Sequence, residues 1–503
     1  MDNLEKLKLF REMTDKKNAA SGNVGGKKTA KERLEMLFDE GTFIETDSYL
    51  KNRNSLTGET NYADGVIAGY GTVMGRLVYA YAQDFGVLNG SLSEMNCKKI
   101  SKVYDLALKT GAPVVSVIDC GGIRLEDGLD ALCAYNEVMK KSVDASGLIP
   151  QLSIVMGVCG GSMTFIPAVS DFTVMVDKQA ELYITSKEVL KGINNEACED
   201  FSLSSFNSAN GTVDFTASSE EEAFLTVKKL LCYLPSNYFE DAEVIETADD
   251  FNRATPDIIN IIPSDDKSGY NVCDIIKTVA DNCEFLEVAE NYAKNMVTGF
   301  IRLGGYTVGV VANQPEVNGG VIDNLGAKKA ADFIGKCDSF GIPVLSFTDS
   351  EGFEASLADE KWGMVKDVAK LGFAFANASV AKVNVILRKA YGAAYLYMNS
   401  KQMGADISYA IPTAIITAST PEVALNMLYS EEIKKYDDPK SGKEEIMAKY
   451  RDCVASPYEA AKRGYIDDVI DPEALRPVLV SAFDVLFAKR EEVVDKKHSN
   501  MPL

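Results

Sequence analysis

Apolar residues in this chain gather into short, nearly continuous runs, and the stretches between the runs are amphipathic. Leu77 to Ala82, Pro113 to Ile118 and Leu152 to Met156 show almost no alternation, which marks strands buried on both faces. Met95 to Lys109 and Leu129 to Ala145, lying between them, read as helices. The succession returns later, with strands at Thr307 to Ala312, Pro343 to Thr348 and Lys382 to Leu387. Strands alternating with helices predict α/β layers. Upstream, Lys6 to Met13 reads as a charged amphipathic helix. After Gly25-Gly26-Lys27-Lys28, Thr29 followed by Glu32 fits a capping box, opening a helix whose apolar stripe is Leu34, Leu37 and Phe38.

The recurrence has a fixed spacing. Gln83-Asp84 aligns with Asn313-Gln314, Gly90 with Gly320, Gly111-Ala112-Pro113-Val114 with Gly341-Ile342-Pro343-Val344, and Asp119 with Asp349. All share one offset, since 341 − 111 = 230 and 349 − 119 = 230. A single shift across so many turn and strand residues identifies a tandem duplication. It predicts two domains, residues 1–250 and 251–503. Residues 186 to 290 are more acidic and less periodic, and read as an interdomain connection with some helix; Tyr436 to Gly442 reads as an exposed turn between helices.

In each half two Gly loops follow consecutive strands. The first half has Asp119-Cys120-Gly121-Gly122 and Gly157-Val158-Cys159-Gly160-Gly161; the second has Asp349-Ser350-Glu351-Gly352 and Ala390-Tyr391-Gly392-Ala393-Ala394-Tyr395. A strand that stops at glycine lets backbone N–H groups approach a ligand closely. Donors from two loops converging on one oxygen would form an oxyanion hole suited to reactions through an enolate.

Composition narrows the class. The chain has 503 residues, 25% charged and 46% hydrophobic, which suits two folded domains. A formal net charge of −22 opposes binding to nucleic acid or anionic membrane, so a phosphate-bearing ligand needs local basic groups. Lys28 and Lys31, at the entry of the Thr29 helix, are candidates. Ten Cys without a Cys-x-x-Cys pair argue for free thiols in a reducing cytoplasm. The first residues lack the apolar core of a signal peptide, and no apolar run is long enough to cross a membrane. The single His498 leaves no imidazole for a Ser-His-Asp triad or a multi-His metal site.

Several segments carry a family resemblance: Thr29-Ala30-Lys31-Glu32-Arg33-Leu34, Gln83-Asp84-Phe85, Ala145-Ser146-Gly147-Leu148-Ile149-Pro150-Gln151, Arg388-Lys389-Ala390-Tyr391-Gly392 and Lys462-Arg463-Gly464-Tyr465-Ile466-Asp467-Asp468. With these the chain resembles the carboxyltransferase subunits of biotin-dependent acyl-CoA carboxylases and decarboxylases, of the propionyl-CoA carboxylase beta and methylmalonyl-CoA decarboxylase alpha type. The resemblance implies two tandem crotonase-like α/β domains, an acyl-CoA thioester bound by the first, and biotin bound by the second. It implies that Gly121, Gly122, Gly160 and Gly161 polarise the thioester carbonyl, and that Gly352, Phe353, Gly392 and Ala393 polarise the ureido carbonyl of biotin. Arg124 and Leu396 join Lys28 and Lys31 as implied substrate residues, Leu396 standing where some relatives carry an Asp linked to acyl selectivity. No Met-Lys-Met acceptor occurs, so biotin should arrive on a separate carrier protein. A sister chain or a membrane decarboxylase subunit is a further implied partner, and the assembly is expected to be a dimer or hexamer.

The chain departs from the family pattern at Glu351 and Glu354, which place negative charge near the expected ureido carbonyl. Two other readings therefore stand beside active carboxyl transfer. One is a weakened paralogue paired with an intact sister chain. The other is a biotin-independent hydratase or hydrolase using the first loop set, with Glu126 as base.

Overall fold

The uninterrupted apolar runs become the central strands of two sheets, because a strand covered on both faces has no solvent side to reserve for polar residues. The computed structural model describes residues 2–20, 27–53, 63–194, 201–491 and 499–502; Gly25, Gly26, Cys198 and His498 lie outside them. By their internal packing the chain's residues fall into two units, Met1–Asp241 and Ala242–Leu503.

In the first unit the strands are β1 (Ile44–Glu45), β2 (Val66–Val73), β3 (Arg76–Gln83), β4 (Val114–Cys120), β5 (Gln151–Gly160), β6 (Phe172–Val176), β7 (Glu181–Tyr183) and β8 (Phe215–Ala217). Their order is β1-β2-β3-β4-β5-β6-β8, with β7 added beside the end of β5. β2 and β3 form a hairpin whose turn holds Gly75 at φ +79, whereas β3, β4, β5 and β6 run parallel. The helices of this unit are α1 (Asn3–Ala20), α2 (Ala30–Leu37), α3 (Glu94–Thr110), α4 (Leu129–Ala145) and α5 (Glu220–Tyr233), among shorter ones. Thr29 and Glu32 make the predicted capping box at the start of α2. α3 begins under a Ser93 cap and stops at Gly111, which takes the left-handed conformation at φ +62. Its inner face buries Cys97, Ile100, Val103, Tyr104 and Ala107 at helical spacing.

The second unit repeats the plan. Its strands are β9 (Leu286–Val288), β10 (Met296–Leu303), β11 (Tyr306–Asn313), β12 (Val344–Ser350), β13 (Lys382–Tyr391), β14 (Ile407–Ala410), β15 (Ile415–Thr417) and β16 (Asp468–Val469), ordered β16-β14-β13-β12-β11-β10-β9 with β15 beside β13. α6 (Asn324–Ser339), α7 (Met364–Asn377) and the short α8 (Gly392–Tyr397) lie among them. The strands β2, β3 and β4 recur at an offset of 230, for example 344 − 114 = 230. β13 begins 382 − 151 = 231 residues after β5, so one residue has been gained between β12 and β13.

Residues 186 to 290 are not a connection. β8 completes the first sheet beside β6, α5 buries Ala223, Phe224, Val227 and Leu230, and β9 edges the second sheet. Their acidic residues sit on outer faces, which hid the apolar spacing beneath. The turn read at Tyr436 to Gly442 ends sooner, because Asp438 caps a helix that starts at Pro439 and runs to Cys453.

Candidate active site

β4 and β5 pair in parallel with Cys120 opposite Cys159, so both Gly loops of the first unit leave the sheet side by side. A β-carbon placed on Gly122, at φ +105, would lie 3.4 Å from the Gly160 carbonyl oxygen, so the two loops are in contact. Gly161, at φ +60, opens the single turn Gly161–Thr164. The first N–H groups of such a turn have no acceptor inside it and face outward. Beneath the loops the buried Asp119 carboxylate accepts from Lys27 Nζ at 3.3 Å, Arg33 at 3.1 Å and the Val158 N–H at 3.2 Å. Arg33 also binds Glu220 at 2.6 Å, which ties α2 and α5 to the loop base. Gly157 is required here, since a β-carbon on it would overlap the Asp119 carboxyl.

Hydrogen bonds decide which N–H groups remain for a ligand. Gly121 N–H donates to the Asn89 carbonyl at 2.9 Å, and Gly122 N–H is turned to Cys120 Sγ at 3.4 Å. In the bridge between Leu92 and Ile123, Leu92 N–H donates to the Gly122 carbonyl and Arg124 N–H to the Leu92 carbonyl, both at 2.8 Å. Successive N–H groups of an extended chain point to opposite edges, so the Ile123 N–H points away from Leu92. Gly121, expected as a donor, is therefore an anchor of the loop, and the available N–H groups belong to Ile123 and to the start of the Gly161 turn, Ser162 included. Glycine had signalled donors in the sequence; what it supplies is the close approach and positive φ that expose its neighbours' N–H groups.

The second unit repeats this arrangement. Ser350 Oγ accepts from Gly352 N–H at 3.2 Å, as Cys120 Sγ does from Gly122. Ile322 N–H donates to the Gly352 carbonyl at 3.0 Å and Glu354 N–H to the Ile322 carbonyl at 2.9 Å, leaving Phe353 N–H in the orientation of Ile123. Ser350 pairs with Ala390 across β12 and β13, which sets Gly352 and Phe353 beside Gly392 and Ala393 at the start of α8. Gly352 lies at φ +142, with no atom within 4 Å of where a β-carbon would be. By the offsets, Phe353 corresponds to Ile123 (353 − 123 = 230) and Ala393 to Ser162 (393 − 162 = 231). Asp349 is buried like Asp119 and accepts from Arg388 at 3.1 Å, Tyr270 at 2.8 Å and Lys389 N–H at 3.2 Å. Burial pushes its carboxyl above the usual range, against the pull of Arg388 and Lys389.

The added acids of this loop are compensated. Glu351 pairs with Lys389 Nζ at 2.9 Å, and Glu354 accepts from Asn318 at 2.6 Å. Their charges are met by the next strand and the neighbouring turn, so the electrostatic case for a weakened site falls away.

The other expected substrate residues are placed differently. Arg124 turns inward, 4% exposed, to Asp64 at 2.5 Å and to the Ser91 carbonyl at 3.1 Å, so its guanidinium braces the loop. Lys28 pairs with Glu221, whose carboxyl this cation holds down at about 2, and Lys31 is half-buried on α2. Lys27, which sequence reading did not select, lies 5.1 Å above the Phe85 ring and lines a small cleft with Arg33, Gln83, Asp84 and Asp119. Its signal was a lysine just before a capping box. Leu396 is partly exposed on α8, and Glu126 lies on the exposed turn Leu125–Asp127. Among the described residues no helix is long and apolar enough to cross a membrane.

The model of the carboxyl transferase domain matches residues 23–501. The propionyl-CoA carboxylase carboxyltransferase subunit of Haloferax mediterranei is 42% identical over 490 residues, covering 96% of this chain and 95% of its own length. The methylmalonyl-CoA decarboxylase alpha subunit of Veillonella parvula is 40% identical over 512 residues, covering 99% of each. A crystal structure of transcarboxylase 12S, a hexamer with methylmalonyl-coenzyme A and methylmalonic acid bound, superposes with a TM-score of 0.96 at 37% identity, covering 100% of this chain and 99% of that one. The chain therefore belongs to the carboxyl transferase family, and it is a carboxyltransferase built from two tandem crotonase-like domains.

Proposed function

We propose that this chain moves a carboxyl group between biotin, carried on a separate protein, and an acyl-CoA of the malonyl or methylmalonyl type. One observation carries the reading: the duplicated pairs of outward N–H groups, Ile123 with Ser162 and Phe353 with Ala393, each set over a buried aspartate. The named relatives act on propionyl- or methylmalonyl-CoA, which supports the substrate class.

In the first unit the thioester carbonyl oxygen accepts from Ile123 and Ser162. Loss of an α-carboxylate, or removal of an α-proton, sends an electron pair towards that oxygen, and two fixed donors stabilise the charge as it develops. Backbone donors suit this step because they need no reorganisation and carry no proton to lose. Lys27, Lys28 and Lys31 lie on the approach to α2, where they meet the phosphates of coenzyme A.

In the second unit, Gly352 leaves open the approach to the Phe353 and Ala393 N–H groups, which fits a planar ureido carbonyl. Biotin, when bound, supplies the nitrogen that gives or takes the carboxyl group. Phe353 and Ala393 hold its carbonyl oxygen, and the ion pair of Glu351 with Lys389 keeps net charge away from that oxygen. The assembly is a homo- or hetero-oligomer in the cytoplasm, working with a biotin carrier protein and, in a decarboxylase, with a membrane partner.

The test is turnover. Purified protein with a biotinylated carrier should transfer carboxylate from malonyl- or methylmalonyl-CoA, and Ile123→Pro, which removes only the N–H not used by the bridge, should lower kcat by about 10²–10³-fold. No transfer from any malonyl-type thioester would sink the reading.

A further inference from the structure

The two donor loops are tied to their neighbouring turns in different ways. In the first unit the tie is the backbone bond from Gly121 N–H to the Asn89 carbonyl. The counterparts 230 residues later are Glu351 and Gly319, and here a side chain does the joining. Lys389 Nζ donates to the Gly319 carbonyl at 3.1 Å and to Glu351 Oε1 at 2.9 Å, and stands 3.9 Å from Asp349. Lys389 occupies the place of Val158 (389 − 158 = 231), and its side chain is only 2% exposed. An ammonium is kept in such a place only where charge and hydrogen bonds compensate its lost hydration. The turn is shaped for the pair: Gly319 lies at φ +64, and a β-carbon there would come within 3.0 Å of Glu351 Oε1 and 3.4 Å of Lys389 Nζ.

We propose that Glu351 and Lys389 are a positioning pair that clamps the Gly352–Phe353 loop onto the Asn318–Gly320 turn and so aims the Phe353 N–H. Both residues act through the loop backbone. Glu351 contributes the carboxylate that holds the lysine in place, and Lys389 contributes the donor that reaches the turn. The catalytic consequence rests on the carboxyl-transfer reading, but the clamp itself can be read without turnover.

The experiment is amide hydrogen exchange on the full-length protein, comparing wild type with Glu351→Gln, Lys389→Met and Lys389→Arg. Glu351 is half exposed, so Glu351→Gln keeps the fold. Exchange in the peptide spanning residues 350–356 should rise about tenfold in Glu351→Gln and Lys389→Met, while residues 120–126 stay unchanged and Lys389→Arg remains near wild type. In carboxyl transfer the same two variants should lose kcat by about tenfold at unchanged KM for the acyl-CoA. Unchanged exchange at 350–356 in Glu351→Gln, or an equal rise in both peptides, overturns the clamp even in an active enzyme. A wild type without turnover whose loop still responds to Glu351→Gln upholds the clamp and sinks the functional reading instead.

Discussion

Asp119 and Asp349 stand 349 − 119 = 230 residues apart at equivalent places, each buried next to the end of its central strand, yet they draw their cations from different elements. Asp119 is met by Lys27 and Arg33 from the amino-terminal segment, and Asp349 by Arg388 from the adjacent strand. The carboxylate beneath the loops has been kept in both halves while its partners have changed. Its place in the fold is thus defined by the loop it supports.

The partners should differ in weight. Arg388→Met leaves the buried Asp349 without its nearest cation and should cost about 3–5 kcal/mol of stability. Tyr270→Phe removes one hydrogen bond to a charged acceptor and should cost about 1.5–3 kcal/mol. Lys27 is partly exposed and Arg33 stays beside Asp119, so Lys27→Met should cost no more than about 1 kcal/mol. Urea unfolding midpoints rank the three, and equal effects would refute the assignment.

Two glycines separate close approach from mere flexibility. Gly157→Ala sets a methyl against the Asp119 carboxyl on the central strand and should leave too little folded protein to purify, or destabilise it by at least about 3 kcal/mol. Gly335, within α6, has nothing within 4 Å of a new β-carbon and an ordinary helical backbone. Gly335→Ala should therefore stabilise by about 0.4–1 kcal/mol. Thermal unfolding of both variants is the check.

The duplication, the central strands and the four loops were legible because glycine, proline and apolar runs report local structure directly. The donors were not, because the gain of one residue between β12 and β13 changes the offset from 230 to 231. Gly121 and Gly122 were thereby set against Gly352 and Phe353, although Gly121 is the counterpart of Glu351. Partners distant in sequence were equally hidden: nothing local links Arg33 to Glu220, or Glu351 to Lys389. The acidic stretch from 186 to 290 concealed β8 and α5 because exposed charge outnumbers the apolar residues that pack.

Arg124 distinguishes bracing from substrate binding. Burial raises the Asp64 carboxyl while Arg124 draws it down, so each group depends on the other. Arg124→Met should destabilise by about 3–5 kcal/mol, and adding Asp64→Leu should recover most of that loss, since removing both charges is far less costly than stranding one. Chemical denaturation of the two variants decides the matter. A stable Arg124→Met protein with only a raised KM for acyl-CoA would return Arg124 to the substrate.

The buried thiols give a prediction in pH. Cys120 lies under the first loop, its thiol pushed up to about 12 chiefly by burial, whereas Cys133, Cys283 and Cys453 are exposed. Iodoacetamide at pH 8 should modify those three first, with Cys120 and its strand neighbour Cys159 protected until the chain unfolds. Because the folded value of Cys120 stands above the ordinary 9.0, the unfolded chain releases that proton first as pH rises. Its contribution to stability is therefore complete below pH 9 and is lost progressively towards 12. Ser350 holds the same place in the second unit and makes the same bond to a glycine N–H, so Cys120→Ser fits the site without a titrating thiol. Urea midpoints between pH 8 and 11 should fall less steeply in Cys120→Ser than in wild type; parallel slopes would show that this thiol does not couple to folding.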